Sequence, residues 1–341
     1  MDLVKLIIQI PCYNEEKTLP VTLANIPREI EGVDEVEILV IDDGSTDRTV
    51  EVAREHGADH IVRLTNNKGL AEAFMAGLDA ALRLGADVIV NTDGDNQYNG
   101  ADIARLIKPI VEGKADMVVG DRQIDTIPHF SPTKKTLQKL GSWVVRQVSG
   151  TNVPDATSGF RALSREAAMR MNVVSRFTYT LETIIQAGKK NIALTSVPVR
   201  TNEKLRESRL FGSMWGYIKR SVGTIFRIYA MYEPLRTFAI IGTVIFGSGV
   251  AIGVRFLYFY LTGHGGGHVQ SLILAAILSI VGFQVIMIGL LADLIGANRR
   301  LLEDALYRLK RIELNGLEKT RKRRRRTETR EVRSFSPVEV D

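Results

Sequence analysis

The first 200 residues alternate between short apolar runs and longer segments with helical spacing. The apolar runs are rich in Val and Ile, which favours buried strands. Strands are predicted at 6–10, 36–41, 61–64, 88–91, 117–119 and 192–199. Helices are predicted at 48–56, 70–84 and 102–112. This alternation predicts an α/β domain with a mostly parallel sheet and helices on both faces.

Three of the predicted strands end in polar or acidic loops. Asn14 and Glu15 follow the first strand, Asp43 the second, and Asp93 and Asp95 the fourth. Parallel strands bring their carboxyl ends to one edge, and open α/β sheets bind ligands there. The sequence therefore predicts one shared site. Glycine-rich phosphate-binding motifs are absent, so phosphate must be held by a metal ion and basic side chains.

The segment 91–97 contains the strongest candidate for metal binding. Asp93 and Asp95 are two residues apart, and Gln97 adds an amide oxygen. Hard oxygen ligands suit Mg²⁺ or Mn²⁺ shared with a substrate's phosphates. The alternative for this segment alone is a solvated acidic turn, because Asp-Gly is ordinary turn chemistry. The sequence leaves both interpretations open at this point.

Two segments, 237–254 and 269–292, contain no charged residue. Each approaches or exceeds the roughly 20 apolar residues that a membrane span needs, and we expect two spans. The alternative is a pair of buried core helices. Basic residues flank both segments, whereas the connection 262–268 has no Lys or Arg. The positive-inside rule then places the N-terminal domain and both termini in the cytoplasm.

The net charge, the cysteine content and the two ends of the sequence disfavour several classes of protein. The chain has 341 residues, a formal charge of +6 and one cysteine, Cys12, which excludes an intramolecular disulfide. No secretory signal pattern is visible at the start. The basic run within 319–330 lacks interleaved aromatic residues, so nucleic-acid binding is not favoured. We expect the tail from Leu317 to be disordered and to contact anionic lipid.

Four motifs together resemble a known family. They are the runs Pro-Cys-Tyr-Asn-Glu-Glu from Pro11, Asp-Asp-Gly-Ser-Thr-Asp from Asp42, Thr-Asp-Gly-Asp-Asn-Gln from Thr92 and Asp-Ala-Thr-Ser-Gly-Phe-Arg from Asp155. They resemble the family 2 glycosyltransferases, which have the Rossmann-like GT-A fold. With the two spans, the chain looks most like the polyprenyl-phosphate (dolichyl or undecaprenyl) subgroup, over about residues 5–300.

The resemblance implies a nucleotide-diphosphate sugar donor, a divalent cation (Mg²⁺ or Mn²⁺) and a polyprenyl phosphate acceptor. The residues implied for the nucleotide are Pro11, Tyr13, Asn14, Glu15, Asp43 and Asp93. Those implied for the metal are Asp93, Asp95 and Gln97. Those implied for the acceptor phosphate are Arg122, Arg161 and Arg209, and Arg200, in the same run of basic residues, is a further candidate. The implied catalytic residues are Asp95, Asp155 and Arg161.

We expect a metal-dependent, inverting transfer of one sugar, with a UDP-hexose favoured as donor. A phosphate monoester has a second pKa of about 6, so the acceptor needs no general base at neutral pH. Asp155 is therefore expected to orient the sugar or Arg161, although the family motif makes it a candidate base. One alternative is a processive polysaccharide synthase, but neither Trp143 nor Trp215 follows an Arg as in the motif of those enzymes. Another is a non-catalytic membrane scaffold that binds nucleotide sugars.

Four domains are expected along the chain. A GT-A catalytic domain comprises 1–210, amphipathic juxtamembrane helices 211–233, two transmembrane helices 234–296 and a basic, partly disordered tail 297–341. The segment 211–233 carries aromatic and basic residues, which suits a helix in the membrane interface, although an ordinary packed helix is the alternative. Small residues in the spans permit a homo-oligomer.

Overall fold

The computed structural model describes residues 3–123, 132–174, 179–203, 219, 222–223, 226–227, 229–263, 267 and 269–334. Side chains are described for these residues except 132–137 and 321–334. The chain divides into two compact units. The first comprises Met1–Arg220 and Leu306–Asp341, and the second comprises Ser221–Ala305.

The first unit is built on one seven-stranded sheet. Its strands are β1 Lys5–Cys12, β2 Glu35–Asp42, β3 His60–Arg63, β4 Val88–Asn91, β5 Met117–Asp121, β6 Arg161–Ser164 and β7 Leu194–Pro198. The strand order is β3-β2-β1-β4-β6-β5-β7. All neighbours pair in parallel except β6, which runs antiparallel to β4 and β5. The predicted mostly parallel α/β fold is thus confirmed.

Among the described residues, seven α-helices lie between the strands. They are α1 Leu19–Ala24, α2 Thr49–Glu55, α3 Leu70–Arg83, α4 Ile103–Val111, α5 Pro132–Ser149, α6 Arg165–Arg170 and α7 Thr180–Lys189. A short 3₁₀ helix, Gly100–Asp102, precedes α4. Every residue of β4 and all but the first of β1 are buried, as expected for central strands covered on both faces.

The six predicted strands are all present, and β6 is the strand that the sequence analysis missed. Its four residues, Arg-Ala-Leu-Ser, show neither an apolar run nor a clear alternation. The strand forms because β4 and β5 lie on either side of it and supply its backbone partners. Tertiary pairing therefore overrides a weak local signal.

The second unit contains α8, Pro234–Leu261, and the first part of α9, Val269–Ser334. Their most apolar windows have mean hydropathy 2.0 and 2.5, and only 17% of each window is buried. Both helices are long and apolar enough to cross a membrane. Their low burial disfavours the alternative of core helices. Gly242 packs against Ile286, and Gly249 against Ser279, so small residues bring the two helices close.

The helix α9 continues through the segment where the sequence predicts disorder. It is helical to Ser334. Contacts within the first unit support its middle part: Tyr307 donates to Glu166 Oε1 at 2.7 Å, and Leu314 is buried. These long-range contacts are invisible in a local sequence window. The described residues between 219 and 232 are helical, whereas most of the predicted juxtamembrane segment lies outside the described residues.

Two helical glycines allow a matched test of the packing between α5 and α7. A Cβ at Gly188 would overlap the carbonyl oxygen of Ser149, whereas a Cβ at Gly141 would meet nothing within 4 Å. We expect Gly188→Ala to destabilise the protein by about 1–3 kcal/mol through overpacking. Gly141→Ala should be neutral or stabilise it by up to about 1 kcal/mol. Thermal unfolding of the detergent-solubilised full chain measures both, and equal shifts in Tm would contradict this packing.

Candidate active site

The loops after β1 and β2 are joined by backbone and side-chain hydrogen bonds. The Asn14 N–H donates to Ser45 Oγ, and the Thr46 N–H donates back to Asn14 Oδ1, both at 2.9 Å. The Glu15 N–H donates to Thr49 Oγ1 at 2.8 Å. Asn14 has a φ of 55°, in the left-handed region that Asn tolerates better than most residues. The two loops therefore form one surface at the carboxyl edge of the sheet.

Asp43 ties a third loop to this surface. Its carboxylate is buried, and its two oxygens accept the N–H groups of Lys68 and Gly69 at 2.8 and 2.9 Å. Gly44 has a φ of 71°, and a Cβ there would lie 2.5 Å from the carbonyl carbon of Asn66. The predicted nucleotide ligand thus also holds the loop before α3 in place. Each oxygen retains a second lone pair for a ligand donor.

The loop after β4 carries the predicted metal ligands. Asp93, Asp95 and Gln97 are each partly exposed. The Gln97 N–H donates to Asp95 Oδ1 at 3.1 Å. From α1, Thr22 Oγ1 donates to the Gly94 carbonyl at 3.1 Å. The structure therefore places both carboxylates on a loop that its neighbours hold in a defined shape.

Two glycines, Gly159 and Gly94, allow close packing around the loop that carries Asp93. A Cβ at Gly159 would lie 3.1 Å from both oxygens of Asp93 and 3.0 Å from the Tyr179 hydroxyl. A Cβ at Gly94 would lie 2.9 Å from Cys12 Sγ. The loop after β4 thus packs tightly against both β1 and the segment before β6.

These residues fit a divalent cation that shares its coordination with a substrate. No group of three or more His, Cys, Asp or Glu side chains able to hold a metal occurs among the described residues. The protein would therefore supply the two carboxylates of Asp93 and Asp95 and the oxygen of Gln97. Mg²⁺ and similar ions commonly bind through one or two carboxylates, substrate phosphates and water.

A buried polar network lies beneath Asp93. Gln9 Nε2 donates to Asn91 Oδ1 at 2.9 Å, and Asn91 Nδ2 donates to the Tyr179 hydroxyl at 2.8 Å. The Tyr179 ring stacks on Phe74 with centroids 4.0 Å apart. Burial, and then the charge of Asp93, raise the pKa of Tyr179 well above its ordinary value, so its hydroxyl stays protonated. None of these residues was predicted as part of the site; for Gln9 and Asn91 the available signal was a polar side chain inside an apolar strand.

Arg122 and Asp155 form a buried ion pair beside this network. Arg122 Nε donates to Asp155 Oδ2 at 2.6 Å, and Nη2 donates to Oδ1 at 3.0 Å and to Thr157 Oγ1 at 2.7 Å. Burial alone would raise the pKa of Asp155, but the charge and hydrogen bonds of Arg122 hold it below its ordinary value. Asp155 was expected to orient the sugar or Arg161; the structure shows that it orients Arg122.

Arg161 was expected to contact the acceptor phosphate, but the structure holds its side chain inside the protein. It is completely buried in β6, where Nε donates to the Ser158 carbonyl at 2.8 Å and Nη2 to the Ala156 carbonyl at 3.0 Å. Its third partner is Thr183 Oγ1. Burial lowers the pKa of Arg161 to about 10, so it remains charged at neutral pH. These contacts disfavour the predicted roles of Arg161 in catalysis and in phosphate binding. Its side chain instead holds the loop before β6 in place.

Arg200 is also held by the protein itself. Its Nη2 donates to Asp102 Oδ1 at 2.9 Å, and its backbone N–H donates to Asp102 Oδ2 at 2.6 Å. Burial would raise the pKa of Asp102, but the hydrogen bonds from Arg200 lower it. Two residues on, the Asn202 N–H donates to the Gln97 carbonyl at 2.9 Å. The end of β7 thus supports the loop that carries Asp95.

The remaining residues predicted for the nucleotide and the acceptor phosphate differ in their exposure. Pro11 is buried, and Tyr13 is 39% exposed beside it. Glu15 is buried, and its Oε2 accepts the Thr18 hydroxyl at 2.6 Å. Arg209, the fourth predicted phosphate ligand, lies outside the described residues.

Comparison with known proteins agrees with this architecture. Residues 7–171 match the family described as glycosyl transferase family 2. A UDP-N-acetylglucosamine–dolichyl-phosphate N-acetylglucosaminyltransferase from Methanococcus voltae is 31% identical over 56% of this chain and 83% of its own. A polyprenol monophosphomannose synthase from Mycolicibacterium smegmatis is 29% identical over 61% of this chain and 81% of its own.

A crystal structure of glucosyl-3-phosphoglycerate synthase from Mycobacterium tuberculosis, in complex with UDP, aligns with a TM-score of 0.51. It is 21% identical, and the alignment covers 67% of this chain and 80% of that protein. This likeness shows the shared GT-A fold. The chain belongs to glycosyl transferase family 2, and it is a glycosyltransferase.

The ion pair of Arg122 and Asp155 allows a test of what holds the site together. Asp155→Asn should destabilise the protein by about 3–5 kcal/mol, because it leaves the buried Arg122 charge without its counter-ion. The double variant Arg122→Met/Asp155→Leu should recover most of that loss, since it removes both charges. Thermal unfolding of the solubilised full chain measures the difference, and equal stabilities of the single and double variants would contradict the pairing.

A pH series provides the control for this prediction. Because the folded-state pKa of Asp155 is lowered, its contribution to stability is present above the ordinary Asp pKa of about 3.9. That contribution is lost as the pH falls through the lower folded-state value. The Tm of the wild-type protein should therefore fall more steeply below pH 4 than the Tm of Asp155→Asn, in which no carboxyl titrates at this position.

Proposed function

We propose that this protein transfers one sugar from a nucleotide-diphosphate sugar, a UDP-hexose, to a polyprenyl phosphate in the membrane. The transfer inverts the anomeric centre and depends on Mg²⁺ or Mn²⁺. The acceptor class is supported by the relatives, whose names specify dolichyl phosphate or polyprenol. The membrane placement is supported by α8 and α9, which are long and apolar enough to span a bilayer.

One observation carries this proposal: β1 lies between β2 and β4 in the sheet, and all three are parallel. Their carboxyl ends therefore bring Glu15, Asp43 and Asp93 to the same edge. The contacts of Asn14 with Ser45 and of Gly94 with Cys12 join the three loops there. A donor at this edge would meet nucleotide-binding residues and metal ligands together.

The donor half of the site is assigned to the loops after β1, β2 and β4. Tyr13 and Asn14 border the nucleotide together with Pro11, Glu15 and Asp43. Asp93, Asp95 and Gln97 would hold the cation. When bound, the cation supplies Lewis-acid stabilisation of the charge that develops on the departing nucleoside diphosphate. The protein's part is to hold these oxygens in position before the donor arrives.

The acceptor half of the site is assigned to Arg122. Asp155 and Thr157 occupy Nε and Nη2 of Arg122, so Nη1 is the nitrogen that would donate a charge-assisted hydrogen bond to the phosphate. Asp155 fixes the orientation of that guanidinium, and Arg161 supports the loop that carries Asp155. Asp155 is a poor general base, because both its oxygens accept hydrogen bonds from Arg122 and its pKa is lowered. A dianionic phosphate acceptor needs no such base.

The orientation across the membrane follows from charge. Basic residues precede the first span and follow the second, and the connection between the spans has no Lys or Arg. We therefore propose that the catalytic unit and both chain ends lie in the cytoplasm. The helix packing of the spans through small residues permits association with further copies.

A carboxylate-to-amide change tests the metal assignment. Asp95→Asn should lower transfer at saturating donor by at least about 100-fold, because it removes a charged ligand of the cation. The assay uses the full chain in lipid nanodiscs with a panel of nucleotide sugars, short-chain polyprenyl phosphate and a titration of Mn²⁺. Mass spectrometry of the lipid product identifies the sugar that is moved.

The matched control is Asp79→Asn. Asp79 is exposed on α3, where its carboxylate pairs with Arg83, so this change should leave transfer unaltered. An Asp95→Asn enzyme with full, metal-dependent activity would rule out the proposed ligand set. A product in which several sugars are joined would instead favour a processive synthase.

A further inference from the structure

The helix α5, Pro132–Ser149, has an unusual balance of charge for a helix of a cytoplasmic domain. It contains four basic residues and no acidic residue. The basic residues are Lys134, Lys135, Lys139 and Arg146. A helix of this composition is attracted to anionic surfaces. Charge alone does not identify the partner of α5. The side chains on its buried and exposed faces indicate which surface it contacts.

The inner face of α5 packs on the rest of the first unit. Ser142, Val145 and Ser149 are buried along it. Ser142 Oγ accepts the Ala156 N–H at 3.2 Å. Because Ala156 adjoins Asp155, the middle of α5 lies beside the Arg122–Asp155 ion pair. The helix is therefore placed at the edge of the site where the acceptor phosphate is proposed to bind.

The outer face of α5 exposes large apolar side chains. Leu140 is 55% exposed and Trp143 is 51% exposed. Residues three apart lie on the same face of a helix, so the two side chains form one apolar patch. Lys139 is exposed next to this patch, and Arg146 is partly exposed one turn further along. An exposed Trp between basic side chains is costly in water but suits a membrane interface.

We propose that the outer face of α5 lies on an anionic phospholipid surface. Leu140 and Trp143 enter the boundary between headgroups and acyl chains. Lys139 and Arg146 contact the lipid phosphates, with their aliphatic stems along the apolar patch. This contact rests on the membrane placement proposed above, and it goes beyond the two spans. Its consequence is that the acceptor edge of the site is held at the depth of the lipid phosphates.

The fluorescence of Trp143 tests this contact directly. The chain has two tryptophans, Trp143 and Trp215, so Trp215→Phe leaves one reporter. The full-length variant is reconstituted into nanodiscs of phosphatidylglycerol with brominated acyl chains. We expect strong quenching by the brominated lipid and weak quenching by aqueous acrylamide. In nanodiscs of neutral phosphatidylcholine with the same bromination, the quenching by lipid should be weaker.

A matched control places the only tryptophan elsewhere on the same unit. Val111, at the end of α4, is an apolar residue with 40% exposure. The variant Trp215→Phe/Trp143→Phe/Val111→Trp should show acrylamide quenching and little quenching by lipid. In the Trp215→Phe background, Arg146→Gln should shift the equilibrium of α5 between lipid and water about fivefold towards water. The lipid quenching should fall accordingly.

The possible results separate this inference from the proposed function. A chain that does not insert into nanodiscs would contradict the membrane placement itself. Insertion with Trp143 quenched by acrylamide and not by lipid would overturn the α5 contact alone. Protection of Trp143 from both quenchers, lost when each nanodisc holds a single chain, would also overturn it, because α5 would then be an interface between copies.

Discussion

The parallel pairing of β1 with both β2 and β4 is the constraint on which the site depends. Towards their carboxyl ends these central strands are buried on both faces, and most of their residues there are apolar. Apart from the buried pair Gln9 and Asn91, the polar side chains of the site therefore come at or after the ends of the strands. Because the strands are parallel and in register, their ends coincide at one edge, and Gln9 lies opposite Asn91 while Cys12 lies opposite Asp42. The same hydrophobic burial that stabilises the sheet thus collects the acidic loops.

Much of this arrangement follows from local sequence signals. The β-branched runs predict six of the seven strands, and the acidic turns after them predict the edge where the site lies. Asp93 and Asp95 belong to the loop that the sequence identifies as a metal-binding candidate. In the structure, Thr22 and Asn202 donate hydrogen bonds to backbone carbonyls of that loop. Local periodicity suffices here because each element carries its own pattern of apolar and polar residues. The two apolar helices of the second unit are predicted for the same reason.

The parts that could not be predicted depend on contacts between distant residues. Asp155 is 33 residues from Arg122, and Arg200 is 98 residues from Asp102. A family motif assigned Arg161, and a run of basic residues Arg200, to the acceptor phosphate, whereas the fold gives each of them internal partners. An arginine in a motif does not reveal which carboxylate or carbonyl it will meet. The same limit applies to β6 and to the helical part of the tail, which depend on neighbours rather than on their own residues.

The ion pair of Arg122 and Asp155 has a consequence for how the enzyme responds to acidity. The guanidinium keeps the carboxyl ionised well below neutrality, and the carboxylate keeps the guanidinium charged. Neither group exchanges a proton within the range that a cell experiences. A phosphate acceptor, with a second pKa of about 6, changes its ionisation inside that range. For the polyprenyl phosphate acceptor proposed above, acid sensitivity would therefore arise from the phosphate and not from the Arg122–Asp155 ion pair.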